Sequence, residues 1–213
     1  MKINQQCYAV SMQVALSINA RDGAEARDLA LRAPRIVGEN GMAHIDVHPQ
    51  SFQGIFVPQS IKTEVHLMVR DWEGRLVSWF EAGVFRVVIP AEYMDTDTMR
   101  RAREVAARYG ATIMPSFSYA DDTVDFSSYG GFTAFQILAV PAGKSGHIFD
   151  SRAIEKIKAL RVAFSDAILE VDGGMNPLTA ARVKDAGADI VVSFSYVWGA
   201  DSPHEAYEKL VSL

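Results

Sequence analysis

EAGVFRVVI at residues 81–89 and DAGADIVVS at residues 185–193 are built alike. In each, a helix-forming stretch stops at Ala-Gly and a run rich in Val and Ile follows. A glycine just past a helix accepts the backbone turn that ends it, and the run behind it has the composition of a strand. Outward from these joints, short apolar runs recur at Val14–Ile18, Met42–Val47, Glu64–Val69, Arg86–Ile89, Thr112–Pro115, Phe135–Val140, Ile168–Val171 and Ile190–Ser193. Segments with helical spacing lie between most of them: Gly23–Arg32, Trp72–Ala82, Asp97–Tyr109, Asp150–Phe164, Pro177–Ala186 and Pro203–Leu213. Pro177 and Pro203 suit the first turn of a helix. Strand and helix in alternation mean parallel strands joined by crossovers, and eight such units are the number that closes a barrel. An open doubly wound sheet is the alternative, and the two matching joints favour closure. The stretch His48–Lys62 is too short and too rich in Pro, Gln and Ser for a full helix. The expected fold is therefore a single (β/α)8 TIM barrel, residues 1–213 as one domain, with the helix between strands two and three reduced to a loop.

Composition narrows the field of functions. The chain has 213 residues, 49% of them hydrophobic and 22% charged, which is enough to bury a core without disulfides. No apolar run approaches the roughly 20 residues that span a bilayer, so a helical membrane protein is excluded. MKINQQCYAVSM lacks the apolar stretch of a secretory signal, and Cys7 is the only cysteine. A cytoplasmic location is expected, and a cysteine-based zinc site is ruled out. A net charge of -5 argues against nucleic acid, because there is no Lys/Arg excess to displace counterions from phosphates. An anionic small molecule needs only a few local donors.

The residues with chemistry sit at strand ends. In AHIDVH, the strand period of two puts His44 and Asp46 on one face, with His48 beyond them. VHLMV places His66 and Met68 on one face, and Asp172 stands where AILEV meets DGG. Catalytic groups of a barrel collect at such ends. Two imidazoles and two carboxylates suit Zn²⁺, Mn²⁺, Fe²⁺ or Co²⁺. The competing reading makes each His a hydrogen-bonded core residue and each Asp a turn or cap. Against it, four such groups buried together without a cation would leave costly desolvated carboxylates.

HIDV at 44–47, FVP at 56–58, VHLMV at 65–69, EVDGGMN at 170–176 and AGAD at 186–189 resemble, in order, the signature segments of the ribulose-phosphate 3-epimerase family. ALSIN at 15–19 is similar to that family's first strand. The resemblance implies an isomerase of carbohydrate and pentose phosphate metabolism, a homo-oligomer that epimerises a phosphorylated ketose at C3 with one divalent metal ion (Zn, Mn, Fe or Co). Asp46 and Asp172 would be the catalytic acid and base, working through an enediolate, and both would also ligate the metal together with His44 and His66. Ser17 would contact substrate, and Met68 would line the pocket over the intermediate.

The chain also departs from the family pattern. After HIDV the family continues with Met-Asp-Gly, whereas here His48-Pro49-Gln50 follows. The family grips phosphate with Gly-rich turns after strands six, seven and eight. VPAGKSGH at 140–147 offers Gly143, Lys144, Ser145 and Gly146 as such a turn, and it is not a P-loop, since Leu138 stands five residues before Gly143. Gly173 and Gly174 follow strand seven. After strand eight, Phe194 stands near where the family has Gly, and the hydroxyls of Ser193 and Ser195 are the remaining donors. Two alternatives stay open: another metal-dependent sugar-phosphate isomerase or aldolase, and a barrel that binds a sugar phosphate without turnover. A decarboxylase of related barrels is disfavoured, because HIDVH has no lysine beside its Asp.

Overall fold

Gly83 and Gly187, the glycines of the two matching joints, have φ of 94° and 110°. That left-handed region is one a side chain resists. The Gly83 N–H donates to the Phe80 carbonyl at 2.9 Å and the Gly187 N–H to the Lys184 carbonyl at 2.9 Å, so each glycine closes a helix and releases the chain into a strand. The structure is a computed structural model that describes residues 12–121, 125–142 and 146–213.

Eight strands form: β1 (Gln13–Ile18), β2 (Met42–Val47), β3 (Lys62–Leu67), β4 (Arg86–Pro90), β5 (Thr112–Ser118), β6 (Ala134–Leu138), β7 (Ile168–Asp172) and β8 (Ile190–Ser193). Each pairs in parallel with the next, and β8 pairs back onto β1, so the sheet is a closed barrel. The helices are α1 (Gly23–Val37), α2 (Leu76–Glu81), α3 (Thr96–Arg108), α4 (Arg152–Ala163), α5 (Pro177–Asp185), α6 (Ser195–Trp198) and α7 (Pro203–Val211). As expected, no helix forms between β2 and β3. There the His48 N–H donates to Ser51 Oγ at 2.9 Å, and the Ser51 N–H returns to the His48 carbonyl at 2.9 Å.

Three details differ from the expected elements. Helix α1 starts at an Asp22 cap but runs past Arg32 and through Pro34 to Val37, because Ala33, Ile36 and Val37 bury its last turn. The segment expected as one helix from Trp72 opens as a 3-10 turn over Trp72–Arg75, where Gly74 weakens an α start. The short helix α6 was not expected; its Trp198 indole donates to the Ser17 carbonyl at 2.8 Å and ties β8 to β1.

The main apolar core lies between the sheet and the helices, around Trp79, Phe135 and Leu169. Inside the barrel the packing is different. Ala15, Met42, Ile190 and Val192 form one small cluster and Val88, Met114 and Ala134 another. The rest of the floor is polar and buried. Arg86 on β4 donates through Nε to Glu64 Oε2 on β3 at 2.6 Å and through Nη2 to Glu170 Oε2 on β7 at 3.2 Å. Strands β4 and β7 are not neighbours, so this contact crosses the barrel interior. Gln136 Nε2 donates to Glu170 Oε1 at 3.0 Å, and the Ser116 hydroxyl donates to Gln136 Oε1 at 2.6 Å.

The two acids of this floor are driven apart. Burial alone would raise the Glu64 carboxyl, but the Arg86 charge and the His44 hydrogen bond hold it at about 2. Burial and the Glu64 charge push Glu170 up to about 8, against Arg86 and His44. Glu170 therefore keeps its proton when folded and loses it near 4.5 when unfolded. Its contribution is present below the unfolded value and is lost as pH rises through about 8. We predict that metal-free wild type loses urea resistance relative to Glu170→Gln between about pH 5.5 and about pH 8.5, while the two are similar at the lower pH. Parallel pH dependences would refute a protonated Glu170.

Candidate active site and metal centre

The strand register brings the site together. Ser17 of β1 lies beside His44 of β2, and Asp46 of β2 beside His66 of β3. Asp172 ends β7 and reaches the same level from across the barrel. His44 Nε2 is 3.5 Å from Asp46 Oδ1 and 4.0 Å from Asp172 Oδ2; His66 Nδ1 is 4.0 Å and 3.8 Å from the same two oxygens. One ligand atom from each of the four residues lies within 4.8 Å of every other.

These atoms fit a divalent cation. His44 Nε2 and His66 Nδ1 are buried and have no hydrogen-bond partner, and both are turned toward carboxylate oxygens. Bond lengths of about 2.0–2.2 Å in a tetrahedral site space the ligand atoms roughly 3.3–3.6 Å apart. The four nitrogen–oxygen separations run from 3.5 to 4.0 Å, one within that spacing and three just beyond it. The ligand residues are also supported from behind. The Ser17 hydroxyl donates to Asp46 Oδ2 at 2.7 Å, which leaves Oδ1 facing the centre. On the far side of the His44 ring, Nδ1 is 2.7 Å from Glu64 Oε1. His44, Glu64 and Glu170 form a second cluster of potential ligands, but the Arg86 guanidinium already bonds both of its carboxylates.

The electrostatics follow from burial and pairing. Burial works to lower the His44 imidazole, but the Asp46 carboxylate 3.5 Å from Nε2 and the Glu64 carboxylate bonded at Nδ1 hold it well above its ordinary range. Burial works to raise the Asp46 carboxyl, but the nearby His44 and His66 imidazoles and the Ser17 hydroxyl hold it below the usual range. Asp46 is thus kept ionised.

Two cavities meet above the centre and share His48, Met68, Leu138 and Ala142 in their walls. The smaller, about 60 Å³, includes Ser17, Asp46, Asp172 and the Gly173-Gly174 turn. A Cβ at Gly174 would fall 2.6 Å from the Phe149 backbone nitrogen, so the turn packs as closely as only glycine permits. Gly146 and Ser195 also line this cavity. Ser193 does not: it is buried, facing away by strand alternation, and its hydroxyl donates to the Met175 carbonyl at 3.2 Å. Phe194, half-buried, also lines this cavity. Gly143, Lys144 and Ser145 lie outside the described residues. The larger cavity, about 400 Å³, runs over His66 and Met68 toward Glu92, Tyr93 and Asp121. His48, expected in an altered lid, is only 5% exposed, and its ring contacts Asn19 Oδ1 at 3.3 Å and Gln50 Oε1 at 3.2 Å.

Sequence reasoning missed Glu64, Arg86, Ser116 and Gln136 as parts of the site's support. A partial signal was present, since Glu64 keeps the parity of the candidate ligand His66 two positions along its strand.

The model of the family described as "Ribulose-phosphate 3 epimerase family" matches residues 40–198. A ribulose-phosphate 3-epimerase of Aquifex aeolicus (strain VF5) is 28% identical over 162 residues, covering 72% of this chain and 71% of that protein. Its counterpart in Mycobacterium tuberculosis (strain ATCC 25618 / H37Rv) is 27% identical over 208 residues, covering 87% of this chain and 88% of that protein. Among solved structures, 3-hexulose-6-phosphate synthase from Salmonella typhimurium superposes with a TM-score of 0.68 at 16% identity, covering 94% of this chain and 97% of that one, a likeness of fold. A family match over residues 40–198, most of this chain, means that the protein belongs to the ribulose-phosphate 3-epimerase family of isomerases.

Proposed function

We propose that the chain is a metal-dependent epimerase that inverts C3 of a phosphorylated ketose, ribulose 5-phosphate or a related sugar phosphate, by two-carboxylate proton transfer. The observation that carries this reading is the convergence of Asp46 and Asp172 from β2 and β7, strands separated by β1 and β8. A substrate carbon held between them has a carboxylate on each face. One carboxylate takes the C3 proton, and the other, protonated, returns a proton to the opposite face. The low Asp46 carboxyl suits it to begin as the base when the sugar binds in that sense. A divalent ion held by His44, Asp46, His66 and Asp172 (Zn, Mn, Fe or Co) would supply Lewis-acid stabilisation of charge developing on the sugar oxygens.

The other residues of the mouth bind and orient. Ser17 fixes the Asp46 carboxylate, and Met68 presents an apolar surface that keeps water from the reacting carbon. Gly146, Gly173, Gly174 and Ser195 supply backbone and hydroxyl donors for the phosphate at the smaller cavity. The larger cavity exceeds what a hydroxymethyl group fills, so substrates beyond ribulose 5-phosphate belong in the assay. Family membership supports the remaining features of this reading: a role in pentose phosphate metabolism, a homo-oligomer, a cytoplasmic location and one domain over 1–213. No helix among the described residues is long and apolar enough to cross a membrane.

The direct test is exchange. Metal-loaded protein incubated in D₂O with a panel of ketose phosphates should place deuterium at C3, read by NMR; no exchange with any of them would overturn the reading. His66→Ala removes a ligand and leaves both proton carriers, so metal affinity and activity should fall together and recover partly at high metal concentration. Asp172→Asn removes a proton carrier but keeps an oxygen ligand. Bound metal, measured by elemental analysis, should persist while turnover drops by at least roughly 10²-fold. Near-normal C3 exchange in Asp172→Asn would refute the two-carboxylate mechanism.

A further inference from the structure

We propose that Glu64, with Arg86 as its buried counter-ion, is a positioning residue that locks His44 in the tautomer whose bare Nε2 faces Asp46 and Asp172. The inference rests on the reading of that centre as a metal site, and it concerns residues outside the ligand set. An imidazole offers a divalent ion only an unprotonated nitrogen, so something must decide which nitrogen carries the proton. At His44 the surroundings decide it. Nδ1 is 2.7 Å from Glu64 Oε1, while Nε2 has no hydrogen-bond partner. An ionised carboxylate only accepts, so the proton belongs on Nδ1.

Glu64 can act this way only if it stays ionised at a position with no exposure at all. A lone carboxylate there would take up a proton, and its OH could then donate to Nδ1 and reverse the tautomer. Arg86 prevents that, bonding Glu64 Oε2 at 2.6 Å and leaving Oε1 for His44. The guanidinium keeps its charge in any protein environment, which a lysine would not. Glu170 at 3.2 Å and its Gln136 partner fix Arg86 from the other side, so the cation cannot swing away. A purely structural ion pair would satisfy its own two members. This one spends a carboxylate oxygen on a ligand of the centre.

The experiment uses ¹⁵N-labelled full-length protein, metal-free and loaded with Zn²⁺. Long-range ¹H–¹⁵N correlation reads the protonation of each His44 nitrogen, and chelator competition reads Zn²⁺ affinity. Wild type should carry a proton on Nδ1 in both states and lose any Nε2 proton on Zn²⁺ binding. Glu64→Gln should weaken Zn²⁺ binding by roughly 10–100-fold, the loss typical of a partner behind a ligand. The double variant Glu64→Gln/Arg86→Met removes both charges together; it should be weakened similarly, which separates the lost carboxylate from a stranded Arg86. A role confined to stability would move the unfolding midpoint and leave tautomer and affinity unchanged. Folded variants with wild-type affinity, or a wild-type His44 without a proton on Nδ1, would overturn the proposal. If wild type binds no divalent ion, the metal reading of the centre fails; the metal-free spectrum, taken at a pH high enough that His44 carries a single proton, still decides the tautomer, with that proton on Nδ1 supporting the role of Glu64 and on Nε2 refuting it.

Discussion

A closed sheet of eight strands shields its inward side chains from water, so a charge placed there must be met by another side chain or give up its charge. Arg86 sets how this barrel meets that constraint. One guanidinium stands between Glu64 and Glu170, and only one of the two acids can be ionised cheaply beside a single cation. The asymmetry of the bonds decides which: Glu64 also accepts from His44, whereas Glu170 takes a neutral amide from Gln136. One paired carboxylate, one neutral acid and one arginine leave the floor without net charge. Above it the Asp46 carboxylate is answered by the His44 imidazole, the charge that a divalent cation at the centre would take over.

Strand register carries this arrangement upward. His44 lies beside Glu64, and two residues further along the same strands Asp46 lies beside His66. A two-residue step keeps the inward face, so the floor and the centre are successive layers of one alternation. A slip of one residue in β2 would turn His44 and Asp46 outward together, and one in β3 would do the same to Glu64 and His66. The same step explains Ser17, which pairs in register with His44 yet reaches Asp46 with its hydroxyl.

The barrel was legible because its strand runs are short, apolar and separated by helices, and because both joints quoted at the outset need a left-handed glycine. All eight strands and the missing helix after β2 were readable this way. The metal-ligand candidates were legible as hydrophilic residues at the C-terminal ends of such runs. The floor was harder to read, since Arg86, Gln136 and Glu170 sit inside strands whose outward neighbours are equally buried. When both faces are buried, apolar alternation no longer marks the inward side, and parity must be taken from the ligands instead. Helix α1 shows the other limit: Pro34 marks a helix end locally, but burial of Ile36 and Val37 outweighs it.

Parity also sorts the residues at the opposite end of the mouth. Ser193 belongs to β8 and alternates with Val192, which faces the smaller cavity; its hydroxyl is therefore spent on Met175. Ser195 escapes that rule because the strand has ended and α6 has begun, so its position is set by the helix turn and it lines the cavity. Phe194 occupies the hinge between the two regimes. Under the proposed function it would limit how closely the backbone after β8 approaches a bound phosphate and leave that role to the Gly173-Gly174 turn and Gly146. Those donors come from β6 and β7, on the side of the barrel that also supplies Asp172. Under the proposed function, a substrate held there by its phosphate would extend over the centre toward His66 and the larger cavity, with its reacting carbon between the two aspartates.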